Sequence, residues 1–303
     1  MIKLKISKPY LGLFISIASV STAAVLIKTV SIHAQFPFSV AFFRLLFTTL
    51  IVLPFVIFRK NIRKELLSLS KESFLIMLII GLILAAHFAL WISSLGKTSV
   101  ASSVILVTAH PLLVGPLSHY FLKERLSKAN TIGIIISVIG VIILIYGNTI
   151  YSSEIKIDTL EGNILAILGG IAAGLYILGG RKVRKNVSVW SYAFVVYSIA
   201  TIILFLLCLI SQSPIYGISP QDYGLILLMA ILAGILGHTL YNWSLEYVRA
   251  SVASVVLLGE PIGSTLLAII LPWISQIPSE YTIFGGAIIL TGIYLTARKN
   301  KII

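Results

Sequence analysis

Ser99-Val100-Ala101-Ser102 and Ser251-Val252-Ala253-Ser254 are the same four residues, and each begins eight positions after a tryptophan, Trp91 and Trp243. The whole pattern recurs at an offset of 152 residues, close to half of the 303-residue chain. Internal similarity at one fixed offset indicates a duplicated unit. Four further pairs keep this offset: Val104 with Val256, Leu106 with Leu258, Gly133 with Gly285, and Gly140 with Gly292.

The composition is that of a membrane protein. The chain is 58% hydrophobic and only 11% charged, whereas a soluble domain carries about 25% charged residues. The net charge of +13 is also found in proteins that bind nucleic acid, but their basic residues cluster on one water-exposed face. Here the basic residues lie in short gaps between apolar runs, so we expect the lipid bilayer as a partner and no nucleic acid.

The apolar runs predict an all-α integral membrane fold with ten transmembrane helices. A helix needs about 20 apolar residues to cross the hydrocarbon, and the runs lack the alternation typical of barrel strands. The predicted spans lie near residues 10–32, 37–58, 73–95, 99–122, 131–147, 162–180, 190–210, 221–244, 250–272 and 281–297.

Basic residues in the loops predict the orientation. Placing the N-terminus inside puts 19 lysines and arginines in inner segments and two, Lys97 and Lys156, in outer loops. The other two, Lys28 and Arg44, lie within spans. Because cytoplasmic loops are enriched in basic residues, we predict a multi-pass protein of the cell (inner or plasma) membrane with both termini cytoplasmic. The inner residues are Lys3, Lys5, Lys8, Arg59, Lys60, Arg63, Lys64, Lys71, Lys123, Arg125, Lys128, Arg181, Lys182, Arg184, Lys185, Arg249, Arg298, Lys299 and Lys301.

Five spans precede the loop near 147–161 and five follow it, which predicts two units, residues 1–150 and 151–303. Because five is odd, the second unit would run through the membrane in the opposite orientation to the first. Such inverted repeats place a binding site near the midplane, where it can open alternately to either side. The alternative is that the repeat records only the duplication of a packing unit.

Polar side chains inside the predicted spans mark the interior, because each is costly in lipid unless it faces protein or water. On the third span and on the eighth, such residues fall on one helical face. They are His87, Trp91 and Ser94 on the third, and His238, Tyr241 and Asn242 on the eighth.

Two prolines lie near the middle of spans, each directly after a titratable residue. His110 precedes Pro111 in the fourth span, and Glu260 precedes Pro261 in the ninth. Proline removes one backbone hydrogen bond and kinks a helix, so a free carbonyl beside each side chain would form a ligand or ion site. The alternative is a kink that serves packing alone.

Apart from Asp222 at the very start of the eighth span, Glu260 is the only carboxylate inside a predicted span. It either stays protonated or pairs with a cation, and the candidates are Arg44 in the second span and Lys28 near the outer end of the first. Lys28 has the alternative of extending to the outer surface. We take Glu260 as the candidate for carrying a coupling proton.

The histidines either titrate and bind solute or form structural hydrogen bonds between helices. Trp91, Tyr176, Tyr241 and Trp243 either line a cavity or pack. The residues we select as substrate-binding candidates are Arg44, His87, Trp91, His110, His238, Tyr241 and Asn242.

Small residues form a ridge on the fifth span, at Gly133, Ser137 and Gly140, and Gly285 and Gly292 resemble it on the tenth. Such ridges allow close approach of helices. They serve either packing within the protomer or a homodimer contact.

The chain resembles the EamA branch of the drug/metabolite transporter superfamily over essentially its whole length. The resemblance rests on the paired five-span units and on a set of short motifs. These are Arg44 after Phe36-Pro37, the two Ser-Val-Ala-Ser segments, Leu122-Lys123-Glu124-Arg125-Leu126, and Gly259-Glu260-Pro261. The second half departs from the first at Pro272-Trp273-Ile274-Ser275-Gln276, which has no Lys-Glu-Arg.

The resemblance implies ten helices, with spans one to four and six to nine around a central cavity and the fifth and tenth peripheral. It also implies transport of small organic solutes, often export of amino acids or other metabolites. We therefore expect a secondary transporter that exports small polar metabolites such as amino acids by alternating access, with Arg44 holding a carboxylate or balancing Glu260. The alternatives are a flippase of a lipid carrier on the same fold and an integral-membrane lipid-modifying enzyme.

The enzyme alternative requires acidic and histidine residues clustered at one membrane surface. The sequence offers scattered polar residues on separate helices rather than such a cluster. Its one cysteine, Cys208, cannot form a Cys-based metal site. The absence of a nucleotide-binding motif argues against an ATP-driven pump. We expect no catalytic residues, no metal site and no cofactor.

The orientation is tested by cysteine labelling in a Cys208→Ala background. We expect a cysteine at Lys97 to react with a membrane-impermeant maleimide in intact cells, and one at Lys60 to react only after permeabilisation. Labelling of the Lys60 position from outside would contradict the predicted topology.

Overall fold

The computed structural model describes residues 8–122, 128–151, 159–248 and 250–297, which form helices and, within these ranges, no strand. The first half contains α1 Lys8–Val20, α2 Ala23–Thr29, α3 Pro37–Phe58, α4 Lys60–Leu67, α5 Lys71–Leu95, α6 Val100–Val107, α7 Pro111–Leu122 and α8 Lys128–Tyr151. The second half contains α9 Leu160–Val183, α10 Val189–Ile210, α11 Pro220–Met229, a π-helical segment Ala230–Thr239, α12 Leu240–Ser244, α13 Ala250–Val256, α14 Gly259–Ile270 and α15 Glu280–Ala297. The Lys123-Glu124-Arg125 segment and the predicted loop charges Lys3, Lys5, Lys156, Arg249, Arg298, Lys299 and Lys301 lie outside the described residues.

Seven helical stretches of the described chain are long and apolar enough to cross a membrane. They correspond to predicted spans one to four and six to eight. Helices α8, α14 and α15 lie where the fifth, ninth and tenth spans were predicted, but the apolar stretches Ile132–Gly147 and Gly259–Ile270 are shorter. The total of ten spans therefore stays a prediction.

Two predicted spans break at prolines rather than continuing as single helices. The fourth is interrupted between Val107 and Pro111, and the ninth between Val256 and Gly259, just before Pro261. Proline has no N–H to donate to the carbonyl four residues earlier. The breaks lie where the prolines predicted kinks, and Val100–Phe121 as a whole is still long and apolar enough to cross a membrane.

The first span is also interrupted, and here no proline is involved. Helix α1 ends at Val20 and α2 begins at Ala23, with Ser21 and Thr22 between them. This break was not predicted, but Lys8–Thr29 as a whole is still long and apolar enough to be the predicted first span. The Ser21 hydroxyl donates to the Ile17 carbonyl (2.9 Å), and the Thr22 hydroxyl donates to a nearby carbonyl at 2.7 Å. Hydroxyls that bond locally to the backbone compete with the regular helical ladder and bend helices.

The eighth span contains the π-helical segment, which has an extra residue in each turn. The Thr239 hydroxyl donates to the Gly234 carbonyl five residues earlier (3.0 Å), and the Ser16 hydroxyl of α1 donates to the Gly237 carbonyl (3.0 Å). These side chains satisfy carbonyls that lie in the wider turns. The segment changes the direction in which His238 points relative to a regular α-helix.

The principal helix contacts join the two predicted halves. Helix α3 packs against α10, α5 against α9, α8 against α15, and α1 against the π-helical segment. In the broken spans, α6 packs against α14 and α7 against α13. The centre of the bundle is therefore built by helices from both halves.

Helices α8 and α15 meet through their small residues. A Cβ atom at Gly140 would lie 2.8 Å from the carbonyl oxygen of Gly285, and Gly292 lies directly against Gly133 and Ser137. As the residue number rises along α8 it falls along α15, so the two helices run antiparallel. The ridges serve packing within the chain, and a homodimer stays a prediction.

Glu65 connects α4 to the start of α10, on the side of the predicted cytoplasmic loops. Its carboxylate accepts hydrogen bonds from the backbone N–H of Ser188 (2.7 Å) and from the hydroxyls of Ser188 and Ser191. Burial raises the pKa of Glu65, but these hydrogen bonds outweigh burial and hold the pKa below its ordinary value. The contact between α4 and α10 therefore retains an ionised carboxylate, which links the two halves.

The close approach of α8 and α15 predicts that Gly140→Ala destabilises the protein by about 1–3 kcal/mol, because backbone atoms must move to admit a methyl group. The measurement is the thermal unfolding temperature in detergent.

Gly224→Ala is the matched control. It lies in a helix with nothing within 4 Å of the new Cβ, so it should be neutral or slightly stabilising. Equal unfolding temperatures for the two variants would contradict the packing argument.

Candidate functional site

A cavity of about 60 Å³ lies among helices of both halves. A single water needs about 10–15 Å³, so the cavity has room for several waters or a small solute. Of the eight residues selected from the sequence, seven line it: Arg44, His87, Trp91, His110, His238, Tyr241 and Glu260.

The interrupted spans deliver polar groups to this cavity. Thr108 and His110 lie in the break between α6 and α7, and Glu260 lies in the first turn of α14. Thr108 and Glu260 are 152 residues apart and both line the cavity. The two halves therefore contribute equivalent positions to the cavity, with a hydroxyl group at one and a carboxyl group at the other.

Arg44 brings a buried guanidinium to the cavity wall. The side chain is 1% exposed, and its three nitrogens, Nε, Nη1 and Nη2, have no hydrogen-bond partner in the described part of the chain. Its nearest described neighbours include aromatic faces: the guanidinium carbon lies 4.4 Å from the ring centroid of Phe88 and 5.6 Å from that of Trp91. All of its N–H groups remain available to an acceptor in the cavity.

Glu260 faces the same cavity without touching Arg44. No nitrogen of Arg44 lies within 4.0 Å of a carboxylate oxygen of the described residues, and the side chain of Glu260 has no hydrogen-bond partner among them. Lys28, the other cation considered for Glu260, instead donates to the Thr98 carbonyl (3.0 Å). The cavity thus holds a guanidinium and a carboxyl group that do not form an ion pair with each other.

The histidines combine the two roles that the sequence left open. His87 Nδ1 donates to the Gly169 carbonyl and His110 Nδ1 to the Thr108 carbonyl, both at 2.9 Å. A carbonyl only accepts, so each Nδ1 carries the hydrogen, and in the neutral imidazole each Nε2 keeps a lone pair. His238 lies edge-on to His87, with ring centroids 6.5 Å apart. His87 and His110 are held by the backbone and still line the cavity, and His238 lines it as well.

Two further donors in the cavity wall lack an acceptor. Trp91 Nε1 and the Tyr241 hydroxyl are buried without a partner among the described residues. Trp91 is oriented by His87, whose ring lies parallel to it at a centroid distance of 5.8 Å. Buried polar atoms are rarely left unpaired in native proteins, so a group of them around one cavity indicates a polar guest.

Comparison with known sequences connects this cavity to a family. The sequence model of the EamA-like transporter family matches residues 7–146 and, a second time, residues 160–298. The chain belongs to the EamA-like transporter family. Membership makes it a membrane transporter and confirms the resemblance drawn from the Arg44, Ser-Val-Ala-Ser and Gly-Glu-Pro motifs.

The relatives of this EamA-like protein carry transporter names. The uncharacterized transporter YyaM of Bacillus subtilis is 25% identical over 266 residues, covering 86% of this chain and 84% of the relative. An uncharacterized transporter of Archaeoglobus fulgidus is 27% identical over 222 residues, covering 68% and 72%. A crystal structure of another protein has the same fold, with a TM-score of 0.67 at 19% identity over 95% of this chain and 96% of that one.

Asn242 is the one selected residue that the EamA-like fold does not bring to the cavity. It is fully buried behind the wall, where its Nδ2 donates to the hydroxyls of Tyr176 (2.5 Å) and Tyr197 (3.4 Å). Its backbone carbonyl accepts from Arg184 Nε (3.0 Å), and Arg184 is paired with Glu246 at 2.6 Å. Because Tyr176 lines the cavity, Asn242 supports the wall and connects it to the predicted cytoplasmic end.

Some residues at the site were not selected from the sequence. Thr108 had a usable signal, because it is the 152-residue counterpart of Glu260. Ser16 lines the cavity from α1, and Phe88 lies under Arg44. Neither differs in sequence from an ordinary small or apolar residue of a membrane span.

Proposed function

We propose that this EamA-family protein is a secondary transporter that exports small polar organic metabolites such as amino acids by alternating access. We place it in the cell (inner or plasma) membrane with both termini cytoplasmic. The observation that carries the proposal is the pair of unpartnered opposite charges, Arg44 and Glu260, that face one buried cavity.

An amino acid complements this pair of charges. Guanidinium groups bind carboxylates through two parallel hydrogen bonds, so Arg44 takes the substrate carboxylate. Glu260 then takes the ammonium group. Trp91 Nε1 and the Tyr241 hydroxyl are further donors for the same carboxylate or for a polar side chain.

Contacts between equivalent residues support two inverted five-span repeats. The hydroxyls of Thr49 and Thr201 lie 3.3 Å apart, and the Ser137 hydroxyl donates to the Ile289 carbonyl at 3.1 Å. Each pair is separated by 152 residues. A residue and its own equivalent touch only near the axis that relates two copies, so these pairs favour a two-fold axis through the bundle. A cavity between inverted repeats can be exposed to either side by movement of one half against the other.

Glu260 is the proposed carrier of a coupling proton. The charged and titratable groups that line the cavity with it are Arg44, His87, His110, His238, Tyr176 and Tyr241. In the empty cavity the carboxylate of Glu260 balances the charge of Arg44. When an amino acid binds, the Glu260 carboxylate holds its ammonium group. Protonation of Glu260 removes that contact, so a proton and the substrate compete for the same carboxylate.

The size and chemistry of the cavity favour small solutes over the two alternatives. The cavity has room for a small solute, and its lining carries a guanidinium, a carboxyl group and three imidazoles suited to a polar one. The described residues contain no group of three or more His, Cys, Asp or Glu side chains placed to hold a metal ion. The transporter names of the relatives agree with transport rather than enzymatic chemistry.

Arg44→Ala tests the carboxylate site. We expect affinity for radiolabelled amino acids in proteoliposomes to fall about 10- to 100-fold, because hydrogen bonds to charged groups contribute about 1.5–3 kcal/mol. The corresponding amino acid amides, which lack the carboxylate, should lose little. Lys97→Ala is the control, since its partner Glu161 lies at the surface. Unchanged amino acid affinity in the Arg44 variant would remove the proposed clamp.

Glu260→Gln tests coupling. Wild-type flux of labelled amino acids should depend on an imposed pH gradient, and the variant should retain exchange while losing that dependence, because an amide carries no exchangeable charge. Glu72→Gln, an exposed residue in the first turn of α5, is the control. Full gradient dependence in the Glu260 variant, or none in the wild type, would rule out this role.

A further inference from the structure

Arg44 is held in an unusual way for a buried guanidinium. Buried arginines are normally fixed by carboxylates or carbonyls, and each such acceptor occupies N–H groups. Here all three nitrogens lack an acceptor in the described chain, while the Phe88 ring lies 4.4 Å from the guanidinium carbon. The negative face of an aromatic ring attracts a cation without accepting its N–H hydrogens in the guanidinium plane.

Phe88 itself stands behind the cation. It is 1% exposed and is not among the described residues that line the cavity, whereas Arg44 is. Its neighbour His87 and the residue one turn later, Trp91, do line the cavity. Phe88 therefore reaches the substrate space through Arg44 and through the rings of His87 and His238, whose centroids lie 4.9 Å and 5.3 Å from its own.

We propose that Phe88 is a positioning residue of the substrate site. Its face supports the Arg44 guanidinium, with Trp91 as a second and more distant face, and so keeps the N–H donors free for the substrate carboxylate. This inference rests on the proposed function, since it assigns Arg44 the carboxylate. Phe88 would contribute to substrate binding electrostatically, through Arg44, without touching the substrate.

A purely structural role for Phe88 predicts a different outcome from an electrostatic one. Pentafluorophenylalanine has nearly the shape of phenylalanine, but its fluorines remove the negative charge from the ring face. Packing is then preserved while the attraction for Arg44 is lost. Phe88→Leu removes the ring altogether, and Phe88→Tyr retains a face of the original sign.

The test measures binding of radiolabelled amino acids and their amides to the full-length protein carrying pentafluorophenylalanine at position 88. We expect affinity for the amino acids to fall about two- to thirtyfold, with affinity for the amides unchanged. Phe88→Leu should show the same selective loss, and Phe88→Tyr should stay close to wild type. The same fluorinated residue at Phe74, which is 47% exposed on the same helix, is the matched control.

Each outcome supports or overturns the inference. Unchanged amino acid affinity with the fluorinated ring, or an equal loss for amino acids and amides, assigns Phe88 to packing alone. The unfolding temperature of each variant identifies a loss of binding that is caused by misfolding. If Phe88→Leu misfolds, the fluorinated variant, which retains the shape of the ring, distinguishes the electrostatic role from the packing role. Failure of the proposed function appears separately, as unchanged affinity in Arg44→Ala.

Discussion

The positive charge of Arg44, buried in an apolar bundle without an acceptor, is the constraint on which the site depends. A charge in a medium of low polarity is costly unless it is compensated. The side chain is 1% exposed, and its described surroundings offer aromatic faces and the separated carboxylate of Glu260 rather than an ion pair. The unpartnered donors of Trp91 and Tyr241 are arranged around the same space.

The chemistry lies where the two halves differ. At the 152-residue offset, Arg44 corresponds to Val196, His87 to Thr239, and Glu260 to Thr108. Residues that retain their counterpart, such as the glycines of α8 and α15, pack helices together. Duplication thus explains the repeated helix contacts, while divergence at a few inward positions explains a cavity with one cation and one carboxylate.

The residues of the cavity could be predicted from the sequence more fully than the breaks and the wider turns of the helices could. Charge inside an apolar run is a strong signal, because lipid penalises it wherever it does not face protein or water; it identified Arg44 and Glu260. The break at Ser21–Thr22 and the π-helical segment depend on hydrogen bonds from distant helices, such as Ser264 to the Ser21 carbonyl and Ser16 to Gly237. Asn242 shares a face with His238 by regular helical spacing, and its place behind the wall follows from three-dimensional contacts that spacing does not encode.

A transporter must release what it binds, and the support of Arg44 bears on this requirement. A guanidinium already committed to a protein carboxylate would have to break that ion pair before binding substrate, and a deeply buried pair is expensive to break. A guanidinium resting on an aromatic face has no such bond to lose, and it keeps that contact while substrate binds and leaves. The empty and loaded cavities then differ less in free energy, which keeps substrate binding reversible. The separation of Glu260 from Arg44 has the same effect, because the carboxylate stabilises the charge at a distance without closing the site.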